Sequence, residues 1–193
     1  GLEDDFGLLD LKVEYDFGTT VLTSISSYTD REVVVSRDAT QLTGSVTVSP
    51  IGILDPDVVR ISSNLVDATD LKAFSQELRL ASTGTGSFDW LIGAFYQDVD
   101  RKYGQSLPTP GWDAATGIDN TSDGNGNAPQ DQPFFSRLSY DFKQLGLFGE
   151  GTYHFSEQLH LTGGVRYYDF EEDRILNFAG AFAVATRNLP GST

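Results

Sequence analysis

Residues 144–174 contain two runs of alternating apolar and polar side chains, separated by a turn at Phe155 to Gln158. In the first run, one face carries Leu145, Leu147, Tyr153 and Phe155, and the other carries Gln144, Glu150, Thr152 and His154. In the second run, the corresponding sets are Leu159, Leu161, Val165 and Tyr167, and His160, Thr162, Gly164 and Arg166. Successive side chains of a strand point to opposite faces, so the pattern predicts an antiparallel hairpin. Aromatic residues end the apolar face near the turn, as interfacial rings do in membrane barrels, so we interpret it as a transmembrane hairpin.

Four further strands are predicted upstream. Residues 8–17 alternate regularly, and residues 20–37 follow after a tight turn at Gly18 and Thr19. Lys72 to Ser82 and Phe88 to Tyr103 form a second pair around a glycine-rich turn at residues 83–87. In Phe88 to Tyr103, the residues Phe88, Trp90, Ile92, Ala94 and Tyr96 share one face, whereas Phe95 falls on the other. The chain is therefore predicted to be all-β, with six strands in three antiparallel hairpins.

The connections alternate in length. Those at residues 18–19, 83–87 and 155–158 are short, and those at 38–71 and 104–139 are long. Outer-membrane barrels have short periplasmic turns and long extracellular loops, whereas a soluble barrel has no reason to keep every second connection short. The alternation therefore favours a membrane barrel independently of the strand pattern.

Composition excludes other classes of protein. No apolar run approaches the roughly 20 residues of a membrane helix. A formal charge of −15 leaves no basic stripe for nucleic acid. The sequence has no cysteine, which fits an oxidising compartment without disulfides. The hydrophobic fraction of 39% is compatible with a barrel, because lipid-facing residues alternate with polar lumen residues.

Six strands are too few to close a membrane barrel, which needs at least about eight. An open edge in lipid would leave backbone groups unpaired at a cost of several kcal/mol each. Residues 1–193 are therefore expected to form a segment of one larger outer-membrane barrel domain. The alternative is that weak additional strands occur at residues 44–48 and 178–187.

Several stretches resemble the barrel of TonB-dependent outer-membrane receptors, in the order in which that family shows them. They are Asp16-Phe17-Gly18 with 22–28, then 75–82, 90–96, 147–153 and 159–168. The resemblance implies a barrel of about 22 strands with a plug domain, which is not visible in residues 1–193. It also implies a Gram-negative outer-membrane location, contact with lipid and lipopolysaccharide, and coupling to the TonB protein. The implied function is uptake of a scarce nutrient such as a ferric siderophore, cobalamin or an oligosaccharide, without cofactor or enzymatic activity.

Two other functions stay open. The chain could be a small complete outer-membrane barrel of porin-like or structural type, or a soluble β-sandwich binding module. A full-length gene of several hundred further residues would favour the receptor, and a monomer in buffer without detergent would favour the sandwich. No nucleophile and base can be paired, so an enzyme is not expected.

One loop segment has partial similarity to a calcium-binding loop. Asp123, Asn125 and Asn127 fit positions 1, 3 and 5 of the EF-hand signature. The sixth position is Ala128 instead of glycine, and the twelfth is Phe134 instead of glutamate. Because no bidentate ligand closes the loop, we interpret this stretch as a flexible polar loop and predict no metal site.

Charged side chains are predicted on the lumen face. Glu77, Arg79, Glu150 and Arg166 would need partners inside a plugged barrel, and cross-strand ion pairs would supply them. His154 and His160 face the lumen near the periplasmic rim, and two histidines alone make a poor metal site. The acidic run 171–173 is expected to form a solvated rim at the outer leaflet.

Four aromatic residues lie in or beside the second long loop, namely Tyr103, Trp112, Phe134 and Phe135. Aromatic side chains in an exposed loop can hold a ligand, or they can pack the loop against itself. The sequence leaves both roles open, and it does not identify the ligand.

Overall fold

A computed structural model describes residues 1–84 and 86–187. Within these ranges it contains six strands, four short α-helices and one 3₁₀ turn. The strands are β1 (Leu2–Asp16), β2 (Thr20–Asp38), β3 (Asn64–Ser82), β4 (Phe88–Ser106), β5 (Phe135–His154) and β6 (His160–Ala179). The helices are α1 (Thr40–Val48), α2 (Pro56–Val59), α3 (Trp112–Thr116) and α4 (Ala181–Arg187), and the 3₁₀ turn is Asp123–Asn125.

The six strands form one antiparallel sheet in which each strand pairs with its neighbours in the chain, in the order β1-β2-β3-β4-β5-β6. Short turns join β1 to β2, β3 to β4 and β5 to β6, which confirms the three predicted hairpins. At the first turn, Gly18 has a φ of 91° and its N–H donates to the Asp16 carboxylate at 2.6 Å. We call this edge of the sheet the short-turn end and the opposite edge the long-loop end.

The cross-strand pairing keeps the two faces of the sheet distinct from β1 to β6. On one face, Val13, Ser24, Leu78, Ala94, Leu147 and Tyr167 are successive cross-strand neighbours. On the other, the next row holds Lys12, Ile25, Glu77, Phe95, Gly146 and Tyr168. We call these the apolar face and the polar face. They match the faces that the alternation predicted.

The apolar face has no second layer in the part of the chain that the structure describes, where all six strands belong to one sheet. Ile92 is 53% exposed, Leu161 63% and Val165 80%. These side chains would lie inside the core of a water-soluble sandwich, so their exposure argues against that alternative. In a membrane barrel, an apolar band of this kind contacts lipid.

The strands are 15 to 20 residues long, whereas about 9–11 residues cross a bilayer core. The apolar face changes character accordingly. From Leu9, Tyr28 and Phe74 toward the short turns the face is mainly apolar on β1 to β3, whereas on β4 to β6 the same row carries Asp98, Lys143 and Glu171. Beyond them, two rows carry seven carboxylates and two lysines, which we call the acidic collar: Asp5, Asp30, Glu32, Asp70, Asp100, Asp141, Asp173, Lys72 and Lys102. The collar marks where the strands leave the apolar band.

Several predicted boundaries are wrong at the long-loop end. β3 begins at Asn64 instead of Lys72, and β6 continues to Ala179. Residues 44–48 do not pair as a strand, because they lie in α1. Residues 181–187 form α4, so the additional strand considered for 178–187 is also wrong. Thr85 in the predicted turn and residues 188–193 lie outside the described residues.

The two long connections and α4 pack together at the long-loop end of the sheet, and we call this cluster the loop cap. Its buried apolar core comprises Ala39, Leu65, Leu107, Trp112, Ala181 and Phe182. Trp112 is fully buried and meets Phe182 edge to face, with ring centroids 5.7 Å apart. Within the ranges described, no helix is both long enough and apolar enough to cross a membrane.

Candidate functional site

Arginine side chains concentrate on the polar face near the long-loop end. Arg31, Arg101 and Arg174 occupy a single row, in which the cross-strand neighbours are Arg31, Leu71, Arg101, Tyr140 and Arg174. Their level is that of the acidic collar, so the row lies beyond the apolar band. At this level the opposite face carries the acidic collar, whereas the polar face carries these guanidinium groups together with the carboxylates of Asp4 and Glu172.

The three arginines differ in their partners. Arg31 makes a bidentate pair with Asp4, with its Nε 2.9 Å from Oδ1 and its Nη2 2.6 Å from Oδ2. This hydrogen bond and the guanidinium charge lower the pKa of Asp4 from its usual value. Arg174 lies 3.6 Å from the Glu172 carboxylate. Arg31 is therefore hydrogen-bonded to a carboxylate, whereas Arg174 has a carboxylate nearby without a hydrogen bond to it.

Arg101 has a different environment. Its guanidinium carbon lies 6.0 Å from the ring centroid of Tyr103 and 5.9 Å from that of Tyr140. Its side chain is exposed, and it makes no ion pair with any residue that the structure describes. A guanidinium between aromatic rings is oriented by its cation–π contacts while its donors stay available. Arg101 can therefore bind an anionic group.

Tyr103 is held in place by a polar network. Its hydroxyl donates to Asp67 Oδ1 at 2.7 Å, and Gln105 Nε2 donates to the same oxygen at 2.5 Å. Arg37 contacts the second oxygen, Oδ2, at 3.0 Å. Burial raises the pKa of Tyr103 to about 12, and the Asp67 carboxylate adds to the shift because it accepts from the neutral hydroxyl. The network presents a neutral phenol beside the Arg101 cation.

We expect this phenol to resist ionisation in solution. Its folded-state pKa of about 12 is above the ordinary 10.0, so the resulting stabilisation is complete below pH 10 and is lost as the pH rises toward 12. The difference in phenolate absorbance between the wild-type full-length protein and Tyr103→Phe should isolate this titration. Asp67→Asn should shift it to lower pH, and an unchanged midpoint would show that the Asp67 contact does not hold the proton.

The aromatic candidates from the sequence have separate locations. Tyr103 lies on the polar face, next to Arg101. Trp112 is buried in the loop cap, where its Nε1 donates to Thr47 Oγ1 at 3.3 Å, and Phe134 packs against the same core. Phe135 begins β5, with the Arg137 guanidinium 5.0 Å from its ring centroid. For Trp112 and Phe134 the structure supports packing of the loop against itself.

The loop that resembles a calcium-binding loop is held in place by hydrogen bonds. Asp123 and Asn125 lie in the 3₁₀ turn, and Asn127 has a φ of 55°. The Asn125 side-chain amide donates to the Asp119 carbonyl at 2.8 Å, and the main-chain carbonyl of Asn125 accepts from the Gly180 N–H at 2.7 Å. These bonds tie the loop to the end of β6. Among the described residues, no group of three or more metal-ligating side chains is brought together.

The lumen charges pair differently from the cross-strand prediction. Glu77 and Arg79 form an ion pair, but within one strand. Arg166 stacks on aromatic rings, with its guanidinium 5.3 Å from the Phe148 centroid and 4.6 Å from that of Tyr168. Aromatic contacts therefore take the place of a cross-strand carboxylate for Arg166. His154 and His160 share the polar face near the short turn, as predicted.

Comparison with known proteins gives the family. The family model for the TonB dependent receptor-like β-barrel matches residues 2–189. The chain belongs to this family. TonB-dependent receptors are outer-membrane β-barrels of Gram-negative bacteria, with a plug domain and TonB coupling, so the predicted family is confirmed. No curated protein matches the sequence.

Two solved structures of siderophore receptors are similar to this TonB-dependent receptor chain. It is similar to the ferric yersiniabactin uptake receptor FyuA from Yersinia pestis, with 13% identity and a TM-score of 0.62 over 92% of this chain and 25% of that one. The siderophore receptor PiuA from Acinetobacter baumannii matches with 10% identity and a TM-score of 0.36, over 92% of this chain and 30% of that one. The segment spans about a quarter of the length of FyuA. The likeness to FyuA supports the barrel fold.

The sequence did contain a signal for the arginine site. Arg101 and Tyr103 are two residues apart in a strand and therefore share a face, whereas Lys102 points to the other. The predicted strand Phe88 to Tyr103 contains both residues, but nothing in its sequence distinguishes Arg101 from the other charged residues of the strands. The cross-strand neighbours of Arg101 could not be deduced without the register.

Proposed function

We propose that this segment forms part of the wall of an outer-membrane receptor that takes up an anionic nutrient, of which a ferric siderophore is the leading example. The observation that carries the proposal is Arg101, an exposed guanidinium between Tyr103 and Tyr140. It lies on the polar face near the long loops, the face that lines the bore in a barrel whose apolar band faces lipid. An anion entering from the loop side would meet Arg101 as a guanidinium that has no carboxylate partner among the described residues.

The rest of the proposal follows from the family architecture. A complete barrel of about 22 strands encloses a plug and leaves the bore to binding and transport. The wall then holds no catalytic group and carries out no covalent chemistry. The neighbouring strands of that barrel pair with the free edges of β1 and β6, which satisfies their backbone groups in lipid.

The outward surface fits a Gram-negative outer membrane under the same proposal. Acyl chains contact the apolar band, and lipopolysaccharide headgroups lie against the acidic collar, with divalent cations bridging their phosphates to its carboxylates. A cavity of about 510 Å³ opens at that level, and its lining includes Glu32, Asp70, Lys102 and Arg137. Apolar side chains, among them Val34, Leu138 and Ile175, complete the lining, so the cavity suits an amphipathic lipid molecule.

The test compares neighbouring cations on opposite faces. In the full-length protein, Arg101→Gln should weaken binding of a ferric tris-catecholate, which is strongly anionic, by about ten- to a hundredfold, since a hydrogen bond to a charged group contributes about 1.5–3 kcal/mol. Binding is measured by fluorescence quenching in detergent. Lys102→Gln is the matched control, because it removes the same charge from the opposite face and should leave binding unchanged.

Two outcomes would contradict the proposal. Equal loss in both variants would show a general effect of net charge instead of a site at Arg101. A neutral ferric tris-hydroxamate is the second probe, and wild type and Arg101→Gln should bind it equally. A preference of the wild type for the neutral complex would argue against an anionic nutrient.

A further inference from the structure

Two histidines meet at the short-turn end of the sheet. They are the only histidines in the 193 residues, and they are cross-strand neighbours at the last pair of β5 and β6. Their Nδ1 atoms lie 2.6 Å apart, and their rings meet edge to face with centroids 4.6 Å apart. The sequence has no cysteine, so these two imidazoles are its strongest side-chain ligands for a transition metal. Both lie side by side at this end of the sheet.

A carboxylate fixes the orientation of the first ring. Asp89, at the start of β4, places Oδ2 2.6 Å from Nε2 of His154. An ionised carboxylate only accepts hydrogen bonds, so Nε2 carries the proton and the Nδ1 of neutral His154 presents a lone pair. A metal-bound histidine is usually oriented in this way, by a carboxylate on its second nitrogen.

We propose that His154 and His160 form a two-nitrogen chelate for a borderline divalent cation, with Cu²⁺ preferred to Ni²⁺ and Zn²⁺, and with Asp89 as the positioning residue. The metal replaces the hydrogen bond between the rings. His160 transfers its Nδ1 proton to its own Nε2 through solvent, so both Nδ1 lone pairs coordinate and no net proton is released from the neutral pair. Both rings are solvent-accessible, and water completes the coordination sphere.

The distance between the nitrogens favours one geometry. Two nitrogens about 2.0–2.1 Å from a metal are about 2.9 Å apart at a right angle and about 3.3 Å apart at a tetrahedral angle. From 2.6 Å, the pair must open by about 0.3 Å for adjacent square-planar positions but by about 0.7 Å for tetrahedral ones. Cu²⁺ prefers the square arrangement and is also the strongest binder in the divalent series.

The groups around the pair do not compete for the metal. Thr152 and Thr162, the next polar-face pair along the same strands, bond to each other at 2.8 Å. The Oδ1 of Asp89 lies 3.4 Å from the Ser82 hydroxyl, which leaves Oδ2 for His154. A bound cation would therefore connect β5 to β6 directly and β4 through Asp89, at the edge of the sheet that faces away from the nutrient.

The experiment is a Cu²⁺ titration of the full-length protein in detergent, without a polyhistidine tag and with Mg²⁺ in excess to occupy carboxylate sites. Electron paramagnetic resonance counts the equatorial nitrogens. Wild type should bind one more tight equivalent than His160→Gln, with a two-nitrogen spectrum. Asp89→Asn should keep that spectrum and bind roughly 10- to 100-fold more weakly. Glu157→Gln, which removes a carboxylate from the same turn, is the matched control and should bind as wild type does.

The proposal is overturned if wild type and His160→Gln bind the same number of equivalents, or if the extra equivalent has only oxygen ligands. It is also overturned if Glu157→Gln weakens binding as much as His160→Gln, because the acidic surface would then be the ligand. Unchanged affinity in Asp89→Asn would remove the positioning role of Asp89 and contradict that part of the proposal.

Discussion

Trp112→Ala should unfold the loop cap locally while leaving the sheet intact. The side chain is fully buried among Leu107, Ala181 and Phe182, and its Nε1 bonds to Thr47. Truncating a buried tryptophan costs about 3–5 kcal/mol. A small cluster of short helices has little other apolar burial to offset this loss, so the cap should open well below the global unfolding free energy.

Native-state hydrogen exchange of the full-length protein is the measurement. Amides that close α1 and α4, such as Thr43 N–H to the Ala39 carbonyl and Val184 N–H to that of Gly180, should lose protection. The ladder between β5 and β6 should keep its protection. Leu54→Ala is the control, because Leu54 is 75% exposed and its truncation should cost less than about 0.5 kcal/mol. Retained protection in Trp112→Ala would show that the cap is held by something other than its aromatic core.

The sequence predicted the strands well wherever one face is apolar. A period of two is unambiguous there, because a shift of one residue would exchange the faces. It failed at the long-loop end, where both faces carry charge. Asp70 and Lys72 interrupt the alternation on the apolar face, so the sequence predicts loop where β3 begins.

The helices of the loop cap were missed for a different reason. α1 contains five β-branched residues and a glycine, which have low helix propensity, so its sequence suggests a strand. Tertiary packing determines its conformation instead, because Thr43 and Thr47 on one side of the helix are buried against the rest of the loop cap. Local propensity cannot contain that information.

The candidate site was only partly predictable. Composition identified the loop aromatics, but whether a ring faces ligand or core depends on contacts between distant segments. Trp112 bonds to Thr47, 65 residues earlier, and no local pattern indicates that pairing. Tyr103 could be placed on a face from its strand alone, and it is the one predicted aromatic that lies beside Arg101.

Leu147→Arg should destabilise the full-length protein in a lipid bilayer by about 2–4 kcal/mol, the range for a basic residue on the lipid face near the midplane. Leu147 lies between Ala94 and Tyr167 within the apolar band and is 49% exposed. In water such an exposed leucine could be replaced at little cost, because the arginine would remain hydrated. In a bilayer the same exposure places the guanidinium in hydrocarbon.

The control uses the opposite face of the same strand. Gln144→Arg introduces the same side chain on the polar face, where water or other protein groups can solvate it, and should cost less than about 1 kcal/mol. Urea unfolding in lipid vesicles measures both variants. If Leu147→Arg costs no more than Gln144→Arg, then the apolar face does not contact lipid, and the polar face loses its assignment as the wall of the bore. The binding role of Arg101 rests on that same assignment, so this one comparison tests the orientation on which uptake through the barrel depends.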